Sequence, residues 1–78
     1  MSTTTVERTP LAIEVSFTAD EMIVALADGR RLSVPLAWFP RLANASAEQL
    51  RNLELMGDGE GIHWPDLDED ISVQGLLN

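Results

Sequence analysis

The sequence predicts an α+β fold: a small antiparallel β-sheet packed against one main helix, in the order β-β-β-α-β with a short C-terminal helical turn. Three observations predict it. Apolar residues alternate with polar ones through Leu11–Phe17 and again from Met22, the period of a half-buried strand. Asp28-Gly29 stands between two such runs, as in a hairpin. Ser46-Ala47-Glu48-Gln49 is a capping box opening an apolar stripe spaced by threes.

Residues 1 to 9 are rich in Ser and Thr and are expected to form a flexible N-terminal segment. Residues 10 to 78 then make a single small domain. In the first strand Leu11, Ile13, Val15 and Phe17 are expected on the buried face. Asp20-Glu21 turns the chain into Met22, Val24 and Leu26. Two hairpin registers compete. A two-residue Asp28-Gly29 loop sets Leu32 opposite Ala25. A three-residue loop sets Leu32 opposite Val24 and Val34 opposite Met22, which gathers five apolar residues on one face. One-face burial favours the second register, with Gly29 left-handed. Ile23 is then left without a role.

Pro35 ends the third strand. Leu36-Ala37-Trp38-Phe39, between two prolines, predicts a tight apolar corner of about one helical turn, with Pro40 barring continuation. The helix is expected over 47–56, with Ala47, Leu50, Leu53 and Met56 inward, Arg51 reaching Glu48 and Glu54, and Gly57 ending it. Gly57-Asp58-Gly59-Glu60-Gly61 lacks both the Gly-x-Gly-x-x-Gly spacing and the Lys-Ser/Thr of phosphate loops, so it reads as turn geometry. Gly61 to Trp64 predicts the last strand, with Ile62 and Trp64 inward and His63 outward. After Pro65, Asp66 to Asp70 reads as a turn or helix start, and Val73, Leu76 and Leu77 close the chain.

Composition narrows the function. Seventy-eight residues make one thin-cored domain. Cysteine is absent, which excludes disulfides and thiolate chemistry. Thirteen acids face five basic residues, all arginine, for a net charge of -8. That balance argues against direct nucleic-acid or anionic-membrane binding and for a partner protein with a basic surface. A second copy of the chain is the other expected partner. No apolar run approaches the roughly 18 residues that span a bilayer, and the N-terminus lacks a signal-peptide pattern. A cytoplasmic location follows as the expectation.

The candidate chemistry concentrates in one stretch. Asp66, Asp68 and Asp70 have the 1-3-5 spacing of a calcium loop, but Ile71 replaces the glycine and Leu77 the final glutamate. His63 with Asp66 or Asp68 makes a weak zinc set. The alternative is an acid/base hydrolytic site built on His63 and the Asp66–Asp70 turn, with His63 as a general base beside carboxylates or an acid/base pair drawn from Glu60, Asp66 and Glu69. No complete metal or catalytic set emerges, and no cofactor is expected. The stronger reading is a non-enzymatic interaction surface formed by Trp38, Phe39, Arg41, His63, Trp64, Asp66, Asp68, Glu69 and Asp70. Trp and Arg are favoured anchors, and acids give a charged rim. The acids from Asp58 to Asp70 also suit occupation of a basic cleft.

The strings Trp38-Phe39-Pro40-Arg41-Leu42, Gly57 to Gly61, Ile62-His63-Trp64-Pro65-Asp66-Leu67-Asp68-Glu69-Asp70-Ile71-Ser72-Val73 and Gly75-Leu76-Leu77 resemble the small bacterial "domain of unknown function 2442" family. The resemblance covers roughly residues 10 to 77. It implies a small α+β domain. It also implies two roles found among relatives: an antitoxin-like partner of a neighbouring small protein, or a sensory domain acting with a DNA-binding protein. It brings no established activity.

Overall fold

The computed structural model describes residues 11–77. The segment expected to be flexible lies outside the described residues. The fold is α+β, but the six strands among the described residues form two three-stranded antiparallel sheets rather than one. The first sheet joins β1 (Ala12–Phe17), β2 (Glu21–Leu26) and β3 (Arg31–Pro35) in that order. A 3-10 turn at Leu36–Trp38, a short α1 (Pro40–Ala43) and a short α2 (Ala47–Arg51) follow. The second sheet joins β4 (Glu54–Met56), β5 (Gly61–Trp64) and β6 (Glu69–Ser72), and α3 (Val73–Leu76) completes the order.

The β2–β3 hairpin adopts the one-face register. Val24 pairs with Leu32 and Met22 with Val34. The Leu26 amide donates to the Arg30 carbonyl at 2.8 Å across a three-residue loop, and Gly29 sits at φ 96°. Met22, Val24, Leu26 and Val34 are buried. Ile23, on the other face, is half-buried.

β1 departs from its expected alternation. Ala12 pairs with Leu26 but Glu14 pairs with Ala25, so Ile13 is the extra residue of a β-bulge. The bulge shifts parity. Ala12 turns inward and is buried, whereas Ile13 is 62% exposed. Val15 and Phe17 keep their expected side and pack on the core.

The single main helix is not formed. Ser46 caps α2 through the expected box: its Oγ accepts from the Gln49 amide, and the Gln49 side chain accepts from the Ser46 amide. The helix then ends at Arg51 instead of reaching residue 56. Leu53 and Leu55 lie two apart, a strand period, whereas Leu53 and Met56 continue the helical stripe. Pairing Leu55 with Ile62 and Glu54 with His63 wins over helix extension. Arg51 consequently makes no ion pair with Glu48 or Glu54 among the described residues. Pro40 does not stop helix formation either. It is the first residue of α1, where a proline lacks no needed donor. Glu69 and Asp70, expected within a turn or helix start over Asp66 to Asp70, instead belong to β6, which pairs with β5 and sets Ile71 opposite Ile62.

The two sheets share one core. Ile62, Trp64, Ile71 and Val73 from the second half join Met22, Val24 and Leu26 from the first, with Leu36, Leu42 and Leu50 between. One backbone bond at the Gly57–Gly61 loop ties the halves, Ala12 N–H to the Gly59 carbonyl at 2.8 Å; Val73 N–H to the Glu60 carbonyl at 3.0 Å extends the β5–β6 pairing within the second half. Gly59 lies at φ 108°, with Ala12 backbone against it. The loop is therefore a packing joint, in keeping with its reading as turn geometry.

Candidate functional site: an aromatic corner braced against an acidic hairpin

The corner and the acidic stretch lie 27 residues apart in sequence, and one arginine joins them in space. Arg41 sits in the first turn of α1. Its Nη1 donates to the Asp68 carbonyl at 2.6 Å and approaches the Leu67 carbonyl at 3.5 Å. The same nitrogen stands 3.7 Å from Glu69 Oε1. Asp68 needs such support because its φ of 51° is left-handed, a conformation Asp tolerates better than most residues. A second brace comes from Asn52, whose Nδ2 donates to Asp66 Oδ2 at 2.9 Å. The hairpin tip is thus gripped by α1 on one side and by the end of α2 on the other.

The two tryptophans have opposite fates. Trp64 is fully buried, and its indole N–H donates to the Leu50 carbonyl at 3.0 Å. That bond joins β5 to α2, so Trp64 belongs to the core and is removed from the candidate surface. Ile62 and Trp64 face inward as their alternation requires. Trp38 is 69% exposed at the end of its 3-10 turn. Phe39 is half-buried and packs against the core. The corner therefore holds one aromatic ring in and one out.

His63 lies on the outer face of the second sheet, as expected. It is flanked across the strands by Glu54 on β4 and Asp70 on β6. Its Nδ1 is bonded to Asp70 Oδ1. That hydrogen bond raises the imidazole pKa above its ordinary value. Desolvation opposes the rise, and the charges of Asp70, Glu54 and Asp68 add to it.

These partners disperse the acids. Asp66 is engaged by Asn52, Asp70 by His63, and Asp68 offers its carbonyl to Arg41. Among the described residues no three His, Asp or Glu side chains converge as a metal site would require. Asn52 has no place in the sequence analysis, and Glu54 enters it only as a helix-face partner of Arg51. The Leu53-Glu54-Leu55 alternation carried a signal for Glu54, whereas nothing local marks Asn52. Among the described residues no helix is long and apolar enough to cross a membrane.

A family model described as a protein of unknown function (DUF2442) matches residues 12–78. The fold is similar to a crystal structure of a protein of unknown function from Rhodospirillum rubrum, at TM-score 0.77 and 33% identity, covering 90% of this chain and 87% of that one. It is also similar to the solution structure of an uncharacterized protein from Chromobacterium violaceum, at TM-score 0.72 and 29% identity. That match covers 86% of this chain and 63% of the other. No curated protein matches the chain.

Proposed function

Because the chain belongs to the DUF2442 family, whose name specifies no activity, we propose a function from the geometry: a non-enzymatic module that docks a partner protein bearing a basic surface. The observation that carries this reading is Trp38. Its ring is 69% exposed on a turn clamped between Pro35 and Pro40. An exposed ring on a preformed turn loses little entropy on docking, and tryptophan is a favoured anchor. Arg41, three residues on, links this anchor to the hairpin carrying Asp66, Asp68 and Asp70. The exposed acids supply a rim that steers a basic partner. Asp66, a carboxylate of the hydrolytic alternative, is held by Asn52, and among the described residues no three His, Asp or Glu side chains converge, which favours docking over catalysis. An antitoxin-like role is the narrower form of this reading. It adds that the partner's own activity falls on binding.

The test is capture from the host of origin with wild-type protein and Trp38→Ala, followed by measurement of the identified partner's affinity. The expected partner is rich in Lys and Arg, its binding weakens with salt, and Trp38→Ala costs roughly 2 kcal/mol or more, about thirtyfold in Kd. A partner indifferent to Trp38→Ala, or recovery of no protein beyond the chain itself, overturns the reading.

A second copy is favoured as an alternative partner by β4. This edge strand is exposed at all three residues, and Leu55 and Met56 are 38% and 44% exposed. Edge strands pair readily. A dimer in solution that Leu55→Lys dissociates would support it, and a monomer at all concentrations would end it.

A further inference from the structure

A groove of about 350 Å³ lies between β1 and α2. Val15 and Phe17 are half-buried along it, and α2 ends at Arg51 on its other wall. Val15, Phe17, Ala47 and Leu50 give it an apolar lining. Four consecutive β1 residues, Val15 to Thr18, line it. Successive strand side chains point to opposite faces, so the groove follows the edge of β1 rather than one face. The order β1-β2-β3 leaves that edge without a neighbouring strand. Arg51 also lines the groove. In a chain of net charge -8 it makes no ion pair and no side-chain hydrogen bond among the described residues.

We propose that this groove binds a small apolar monocarboxylic acid, its hydrocarbon part on Val15, Phe17 and Leu50 and its carboxylate on Arg51. The volume lies at the lower end of small-molecule sites, which are mostly apolar with a few polar groups. A guanidinium binds a carboxylate through paired charge-assisted hydrogen bonds. A free edge also offers main-chain N–H groups. Charge sets the selectivity. The other large groove, about 320 Å³ over Gly61 and Met56, is lined by Glu60 and Asp70 and repels a carboxylate. The site shares no residue with the Trp38–Arg41 corner and stands independently of the docking proposal.

The test is titration of the 15N-labelled full chain with octanoate and 3-phenylpropionate, followed by NMR, with octylamine and octanol as controls. Expected are saturable shifts at Val15–Thr18, Ala47, Leu50 and Arg51 with a Kd on the order of 1 mM or tighter. Octylamine and octanol should bind that groove at least about tenfold more weakly. Arg51→Gln, at an exposed position unpaired among the described residues, should keep the wild-type spectrum elsewhere and weaken octanoate by about tenfold or more. Ala47→Phe, which adds a ring at the groove wall, should abolish the shifts. The proposal is overturned by any of three results: no saturable shift at the groove, equal binding of octanol, or unchanged octanoate affinity in Arg51→Gln. Equal carboxylate shifts around Gly61 and Met56 would mark non-specific adsorption and overturn it as well.

Discussion

Gly59 and Ala12 meet backbone to backbone: the Ala12 amide donates to the Gly59 carbonyl at 2.8 Å, and a Cβ on Gly59 would collide with the Ala12 carbonyl oxygen. This contact holds β1 of the first sheet to the β4–β5 loop of the second.

Gly59→Ala should therefore cost much more than Gly29→Ala. Both glycines have positive φ, but nothing lies within 4 Å of a Cβ at Gly29. Gly29→Ala pays the left-handed penalty alone, about 1 kcal/mol. Gly59→Ala adds displacement of backbone, for roughly 3 kcal/mol or more. Urea unfolding of the two variants measures the difference. Equal losses would show that the halves are not joined here.

Trp64 and Trp38 should separate cleanly by the same method. Trp64→Phe removes the only donor to the Leu50 carbonyl from that ring and leaves a gap, for roughly 2–4 kcal/mol. Trp38→Ala, on the surface, should stay within about 0.5 kcal/mol. A large stability loss from Trp38→Ala would make that ring structural and remove the basis of the docking proposal.

The hairpin tip tests Arg41. Arg41→Ala should cost about 1 kcal/mol, at the low end for a charge-assisted bond because the side chain is 60% exposed. Amide exchange should quicken at Leu67 to Glu69 before it does in β2. Asp68→Gly should be neutral or stabilising relative to Asp68→Ala, since φ is 51° there. Reversal of that order would place the turn in a different conformation.

His63 makes stability depend on pH. Its folded pKa is raised by Asp70, so protonation favours the folded state. The contribution is fully present below the unfolded value of about 6.5 and fades as pH rises through the higher folded value. Wild type should lose its advantage over His63→Gln across that window. NMR titration of the imidazole should show a pKa above 6.5 that falls in Asp70→Asn. An unshifted His63 would mean that the cross-strand pair does not form in solution.

Sequence alone determined what depends on near neighbours. Alternation in β2 and β3, with the preference for one-face burial, specified a register that pairs Val24 with Leu32. Ser46 and Gln49 specified where α2 begins, and Ile62 and Trp64 specified which side of β5 faces the core. Each choice rests on residues within a few positions of one another. Tertiary structure decided where long-range pairing competes with local preference. Leu55 and Met56 suit a helix or a strand, and the pairing with Ile62 and Gly61 alongside makes them strand. Ile13 points outward because a bulge shifts the parity of β1, beside Ala12, whose backbone packs on Gly59 forty-seven positions away. Arg41 reaches the acidic hairpin only once both sheets have closed on one core, so the corner and the hairpin become one surface through folding rather than through adjacency in the chain.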